Sequence, residues 1–175
     1  MLPRVKTRAP FVVIAVAAFV ILSVRIVYPR VGPPLIVNYT ASEPRGVYWI
    51  ERHASSDYRR GQTVVFPLPQ NVHTMVYGRR WLNVGEPLIK GIGALEGDHV
   101  CIDDAQAHIN EHLVGRVFPV DSLGRPMPAV RGCFTIAAGY FFPLSTLIEH
   151  SFDGRYIGPQ PLNAILGELH PLWTF

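Results

Sequence analysis

Prolines and glycines interrupt this chain so often that long helices are excluded over most of its length. Sixteen prolines and fifteen glycines are spread among 175 residues. A proline inside a helix removes a backbone donor and clashes with the preceding turn. Short strands joined by turns are what such punctuation allows. β-rich runs stand between the interruptions at Gly46–Ile50, Thr63–Phe66, Pro87–Ile92, His99–Ile102, Ala107–Ile109 and Arg131–Ile136. Asp103-Asp104 marks a turn. From Leu35 onward the pattern is mostly strand-like. The clear helical candidate in this part runs from Val72 to Trp81, and a short turn is expected at Leu144 to His150. The expected fold class is mainly β.

The N-terminal segment has a different character. Residues 9–24 carry no charge, Arg25 follows, and Ile26, Val27 and Tyr28 extend the apolar run. A membrane helix needs roughly 20 apolar residues, and a long basic side chain can snorkel near its end. Residues 9–28 reach that length as a transmembrane signal anchor. Arg4, Lys6 and Arg8 precede it and predict a cytoplasmic N-terminus over residues 1–8, with residues 29–175 exported. Neither Ala15-Val16-Ala17, inside the run, nor Val27-Tyr28-Pro29-Arg30, after it, suits signal-peptide cleavage, so the anchor is expected to stay. Much of the net charge of +3 sits in this N-terminal cluster. It reads as a topology signal, with no nucleic-acid partner. Arg59-Arg60 and Arg79-Arg80 read as solvated loop charges.

Two cysteines, Cys101 and Cys133, suggest a single disulfide in an exported chain, with two buried thiols as the alternative. Their spacing fits no metal motif. Seven histidines include His108-Ile109-Asn110-Glu111-His112, which matches H-x-x-E-H. That zinc chemistry needs both histidines on one helical face. Here turn signals flank strand residues, so a hairpin and no metal are expected. The chain has no G-x-S-x-G elbow, no phosphate-binding loop and no dinucleotide fingerprint.

Three segments carry a more specific pattern. Thr40-Ala41-Ser42-Glu43-Pro44 follows the anchor closely. Leu88-Ile89-Lys90-Gly91-Ile92 places one lysine in an apolar strand and leads to Gly97-Asp98. Ser151-Phe152-Asp153-Gly154-Arg155-Tyr156-Ile157-Gly158 lies near the C-terminus. In this order they resemble the type I signal peptidase (S26) superfamily, and within it the TraF-type peptidases of conjugal transfer. Thr40 stands where the family has a first serine, and Gly154 where serine is usual. A methionine after Ser42 is replaced by Glu43.

The resemblance implies a signal-peptidase-like β domain in the periplasm, held to a bacterial inner membrane by the single N-terminal helix. It implies a Ser42/Lys90 dyad without cofactor. Serine is a weak nucleophile until a base takes its proton, and lysine can be that base only when neutral. Leu88 and Ile92 share the strand face of Lys90, and such an apolar surround favours the neutral amine. By the same resemblance, the Ser42 N–H and the Thr40 hydroxyl form the oxyanion hole. Ser151 bonds and orients the lysine, and Asp153 and Arg155 support the site. Pro44 and Gly46 are expected to shape the bend, the glycine by unusual backbone angles. The implied substrate is a membrane-embedded pilin precursor, alongside other conjugation proteins. Hydrolysis and cyclisation are both compatible, because the nucleophile that ends the reaction belongs to the substrate. The alternatives are a general type I signal peptidase and a non-catalytic membrane assembly factor.

Overall fold

The computed structural model describes residues 12–19, 22, 34–52 and 58–175. The chain divides into two compact units, Met1–Pro34 and Leu35–Phe175. In the first, residues 12–19 and 22 are helical and exposed. The rest of the expected 9–28 anchor lies outside the described residues. Among those described, no helix is long and apolar enough to cross a membrane.

The second unit is mainly β. Its strands are β1 (Leu35–Asn38), β2 (Gly46–Glu51), β3 (Thr63–Phe66), β4 (Leu88–Ala94), β5 (His99–Ile102), β6 (Gln106–Ile109), β7 (His112–Arg116), β8 (Gly132–Thr135), β9 (Tyr140–Leu144), β10 (Gln160–Pro161) and β11 (Gly167–Thr174). Two short helices interrupt them, α1 (His73–Gly78) and α2 (Gly154–Ile157). A seven-stranded sheet runs β1-β2-β11-β3-β4-β9-β10, and a four-stranded sheet runs β7-β6-β5-β8. Each strand pair is antiparallel, which suits short connections between neighbours.

Side-chain alternation along β9 joins the cores. Phe141 and Phe142 point to opposite faces, and both are fully buried. Phe142 packs with Val100, Ile102 and Ala107 of the small sheet. Phe141 packs with Val64, Phe66 and Leu88 of the large one, where it meets Phe66 edge-on at 5.2 Å. The burial of β4 has a direct consequence for the site. It lies between β3 and β9, so Lys90 occupies an interior strand opposite Val64.

Several expectations are corrected. The helix expected over Val72–Trp81 is confined to His73–Gly78, preceded by a 3-10 turn at Gln70–Val72. Gly154–Ile157 is helical. Arg79 is no solvated charge. Its guanidinium bonds Asp121 at 3.2 Å and the Pro126 carbonyl at 2.6 Å, and it lies over the Trp81 ring. Arg60 does stay largely exposed, although it pairs with Asp98. Gly46 is required for a different reason from the one expected. It is not among the glycines with positive φ. A Cβ there would run into the carbonyl oxygen of Trp173, on the strand paired with it.

His108 and His112 flank a tight turn in which Asn110 and Glu111 have φ of 48° and 68°. They lie on neighbouring strands and not on one helical face. Cys101 and Cys133 face each other across β5 and β8 and form a disulfide. The bridge closes a loop with a sequence separation of 32. Replacing both cysteines with serine should reduce the stability by about 3–4 kcal/mol in the chain-entropy account. Urea unfolding of the full chain checks this, with the loss appearing as a lower midpoint.

Candidate active site

The loop between β1 and β2 carries Ser42, and Asn38 at the end of β1 organises it. The Asn38 amide donates to the carbonyls of Thr40, Glu43 and Pro44 at 3.0–3.1 Å. Its Oδ1 accepts from the Thr40 N–H at 3.0 Å and from the Thr40 hydroxyl at 2.8 Å. One buried side chain thus replaces the hydrogen bonds that a tight bend cannot make for itself. Asn38 was not singled out from the sequence. Its place two residues before a threonine in a turn is a weak signal of this kind.

The bend brings Ser42 to the middle of the large sheet. Lys90 Nζ lies 2.5 Å from Ser42 Oγ. Lys90 is only 4% exposed and Ser42 only 6%. Leu88 and Ile92, on the same face as the lysine, are buried beside it. Burial pushes the Lys90 pKa down from its ordinary 10.5 to about 8. The charges of Asp153 and Glu43 pull it back up, and that of Arg155 opposes them. Desolvation wins because an ammonium in an apolar strand loses its hydration without gaining a close carboxylate. Both residues line an open cleft of about 790 Å³ with largely apolar walls, among them Val76, Trp81, Leu88 and Phe152.

Behind this pair lies a buried ionic support. Asp153 caps α2, accepting from the Arg155 N–H at 3.2 Å. It also grips the Arg155 guanidinium with both oxygens, at 2.9 and 2.8 Å. The remaining guanidinium protons reach the carbonyls of Arg116, Glu149 and Ser151. Arg155 therefore uses all its donors while 1% exposed. Burial works against the Arg155 charge, but the Asp153 carboxylate outweighs it and raises its pKa. Asp153 Oδ2 also accepts the Ser145 N–H at 3.1 Å, and the Ser145 hydroxyl donates to the Ser42 carbonyl. The ion pair thus reaches the Ser42 backbone through Ser145, a residue not singled out from the sequence.

Two details depart from the resemblance. The Ser151 hydroxyl is buried in the cleft wall but has no hydrogen-bond partner, so the expected bond to Lys90 is not made. Thr40 Oγ1 stands 3.4 Å from Ser42 Oγ, while its proton is directed to Asn38. Gly154 has its own explanation. A Cβ there would lie 2.5 Å from the Pro143 carbonyl and 2.7 Å from the Phe142 ring. No side chain fits, which accounts for glycine at a place where the family has serine.

A buried hydroxyl held against a buried, easily deprotonated amine can perform acyl transfer. Comparisons with known proteins identify the family. The family model for signal peptidase, peptidase S26, matches residues 5–173. A plasmid transfer protein TraF of Escherichia coli is 30% identical over 149 residues, covering 79% of this chain and 82% of that one. A conjugal transfer protein TraF of Agrobacterium fabrum is 33% identical over 148 residues, with the same 79% and 82% coverage. Among solved structures, a signal peptidase I from Enterococcus faecalis is 20% identical with a TM-score of 0.41, covering 65% of this chain and 97% of that one.

Substituting Arg155 with Met should cost about 3–5 kcal/mol of stability, because Asp153 would be left buried and uncompensated. A thermal melt of the variant checks this. The double substitution of Arg155 with Met and Asp153 with Leu should recover part of the loss.

Proposed function

This chain belongs to the TraF-type branch of the signal peptidase S26 family, and on that premise we propose that it is a membrane-anchored serine endopeptidase that processes a conjugative pilin precursor. The approach of Lys90 Nζ to Ser42 Oγ, 2.5 Å apart in a buried setting, carries this reading. Neutral Lys90 takes the Ser42 proton as Ser42 Oγ attacks a substrate peptide carbonyl. The tetrahedral intermediate collapses, the amine leaves with a proton returned by Lys90, and an acyl-enzyme remains. The Ser42 N–H and the Thr40 hydroxyl stabilise the oxyanion, Thr40 by turning its proton away from Asn38. Asp153 and Arg155 hold the nucleophile loop through Ser145, and Ser151 faces the cleft with a hydroxyl available to the amine. No cofactor is needed.

The anchor over residues 9–28 places the domain at the periplasmic face of an inner membrane. Its support is the charge-free run, the basic residues before it and the helix at residues 12–19. A tethered site close to the bilayer suits a substrate that is itself embedded there. The acyl-enzyme then ends by hydrolysis or by attack of the pilin's own amine, which closes a ring. The curated relatives named for plasmid and conjugal transfer favour such a substrate over general preprotein cleavage.

Substitution of Ser42 with Ala, or of Lys90 with Ala, should abolish maturation of a co-expressed pilin. Mass spectrometry of the pilin reports the cleavage site and ring closure together. Full maturation by both variants would overturn the serine–lysine peptidase reading. A chelator should have no effect on the rate, whereas a zinc peptidase would be inhibited. The pH dependence follows from the lowered lysine pKa. The neutral base is the active form, so the rate should rise with pH through about 8 and fall tenfold per unit well below it. A rate that stays flat into acid, with the fold intact, would remove lysine from the role of base.

A further inference from the structure

Glu43 links the segments that carry the two reacting residues in a way that the mechanism above does not use. It follows Ser42 in the chain, yet it is only 9% exposed. Its Oε1 accepts the Gly91 N–H at 3.2 Å, and Gly91 follows Lys90. One carboxylate thus bridges the loop that carries the nucleophile and the strand that carries the base. Among the described residues, no ion pair joins Glu43 to an arginine or histidine.

The charges facing Lys90 come from three elements. Asp153 at the start of α2 is chelated by Arg155 within it, and their fields on the lysine oppose each other, that of Asp153 being the larger. Ser42 faces it from the loop as a neutral hydroxyl. Glu43 is the remaining acid, and it lacks a comparable partner. Tyr48 on β2 lies near Glu43 and bears no charge at neutral pH, its own pKa being raised. The charge of the buried Glu43 acts on Lys90 without a direct ion pair and favours the ammonium. Burial also raises the Glu43 pKa, against the pull of Lys90 and of the Gly91 N–H.

We infer that Glu43 is a positioning residue of the dyad, clamping the Ser42 loop to β4 and setting the pH at which Lys90 gives up its proton. The inference rests on the serine–lysine reading and deepens it. With Glu43 ionised, Lys90 is a stronger base that is neutral less often. With the anion removed, it is neutral more often and weaker.

The chain makes this directly measurable, because Lys6 and Lys90 are its only lysines. Full-length protein in detergent, labelled with 13C at lysine Cε, gives two lines, and the Lys90 line follows its amine without any turnover. Glu43→Gln should move the Lys90 midpoint down by about one unit. Glu43→Met should do the same. The rate profile for pilin maturation should shift with it, the acid limb moving to lower pH and the alkaline plateau falling. A purely structural role would lower the rate at every pH and leave the midpoint in place. An unchanged or raised midpoint in folded variants overturns the proposal. If neither variant folds, the wild-type Lys90 line decides. A smaller acid-side step that coincides with titration of a buried carboxyl in 13Cδ-glutamate-labelled protein supports it, and absence of that step overturns it. Pilin maturation by Ser42→Ala would remove the peptidase reading while the Lys90 titration stood by itself.

Discussion

The site depends on one amine kept short of water. Lys90 can accept a proton only because β4 is an interior strand and its neighbours on that face are apolar. An arginine could not take this place, since a guanidinium stays charged at any accessible pH. The composition is consistent with that distinction. Lysine occurs only at positions 6 and 90, and the other cationic side chains are arginines. Cations that must remain charged, such as Arg155 in its carbonyl cage, are arginines. The cation that must lose its charge in the proposed mechanism is a lysine.

Burying the amine is useful only if the hydroxyl is held against it, and the holding comes from two directions. Asn38 ties the loop to itself through its amide and carbonyl groups. Ser145 ties the Ser42 carbonyl to Asp153, and Asp153 is fixed by Arg155. Arg155 in turn binds carbonyls from β7 and from the segment before α2. Close backbone approach is part of this scheme. A Cβ at Gly115 would come within 2.8 Å of the Arg155 guanidinium, and one at Gly154 would meet the Pro143 carbonyl. The buried ion pair therefore contributes more to placing the nucleophile than to net stability, which a desolvated pair supplies poorly.

The strands with β-branched or aromatic residues between clear turn signals were legible in the sequence, and β2, β3 and β5 fall where the pattern puts them. β9, β10 and β11 were not, because Pro143, Pro161 and Pro171 lie inside them and proline argues against a strand. The structure accommodates two of these prolines where pairing is irregular. β9 has a register shift opposite Ile92 and Ala94, and β11 has one between Pro171 and Trp173. Lys90 could be singled out as a charge in an apolar strand, and Ser42 by its resemblance to a known pattern. Asn38 gave only a weak local signal, since its partners are backbone groups of one short loop, and Ser145 could not be singled out, since it acts on a Ser42 carbonyl brought near by tertiary pairing. Arg79 was misread for the same reason, its partners Asp121 and Pro126 lying far along the chain.

Burial and the buried acids act on Lys90 in opposite directions. With Glu43, Lys90, Asp153 and Arg155 all ionised, the four charges sum to zero. When Lys90 is neutral, the site carries one net negative charge, and passing the Ser42 proton to Lys90 leaves that total unchanged while it moves the negative charge onto the oxyanion. In the proposed mechanism the ammonium formed during attack is favoured by the same buried acids that make the neutral amine scarcer beforehand. Burial alone would push the lysine towards a base that is always available and too weak to take a hydroxyl proton. Acids alone would leave a strong base that is almost never free. A pKa of about 8 lies between these limits, close to where general-base catalysis is most effective near neutral pH.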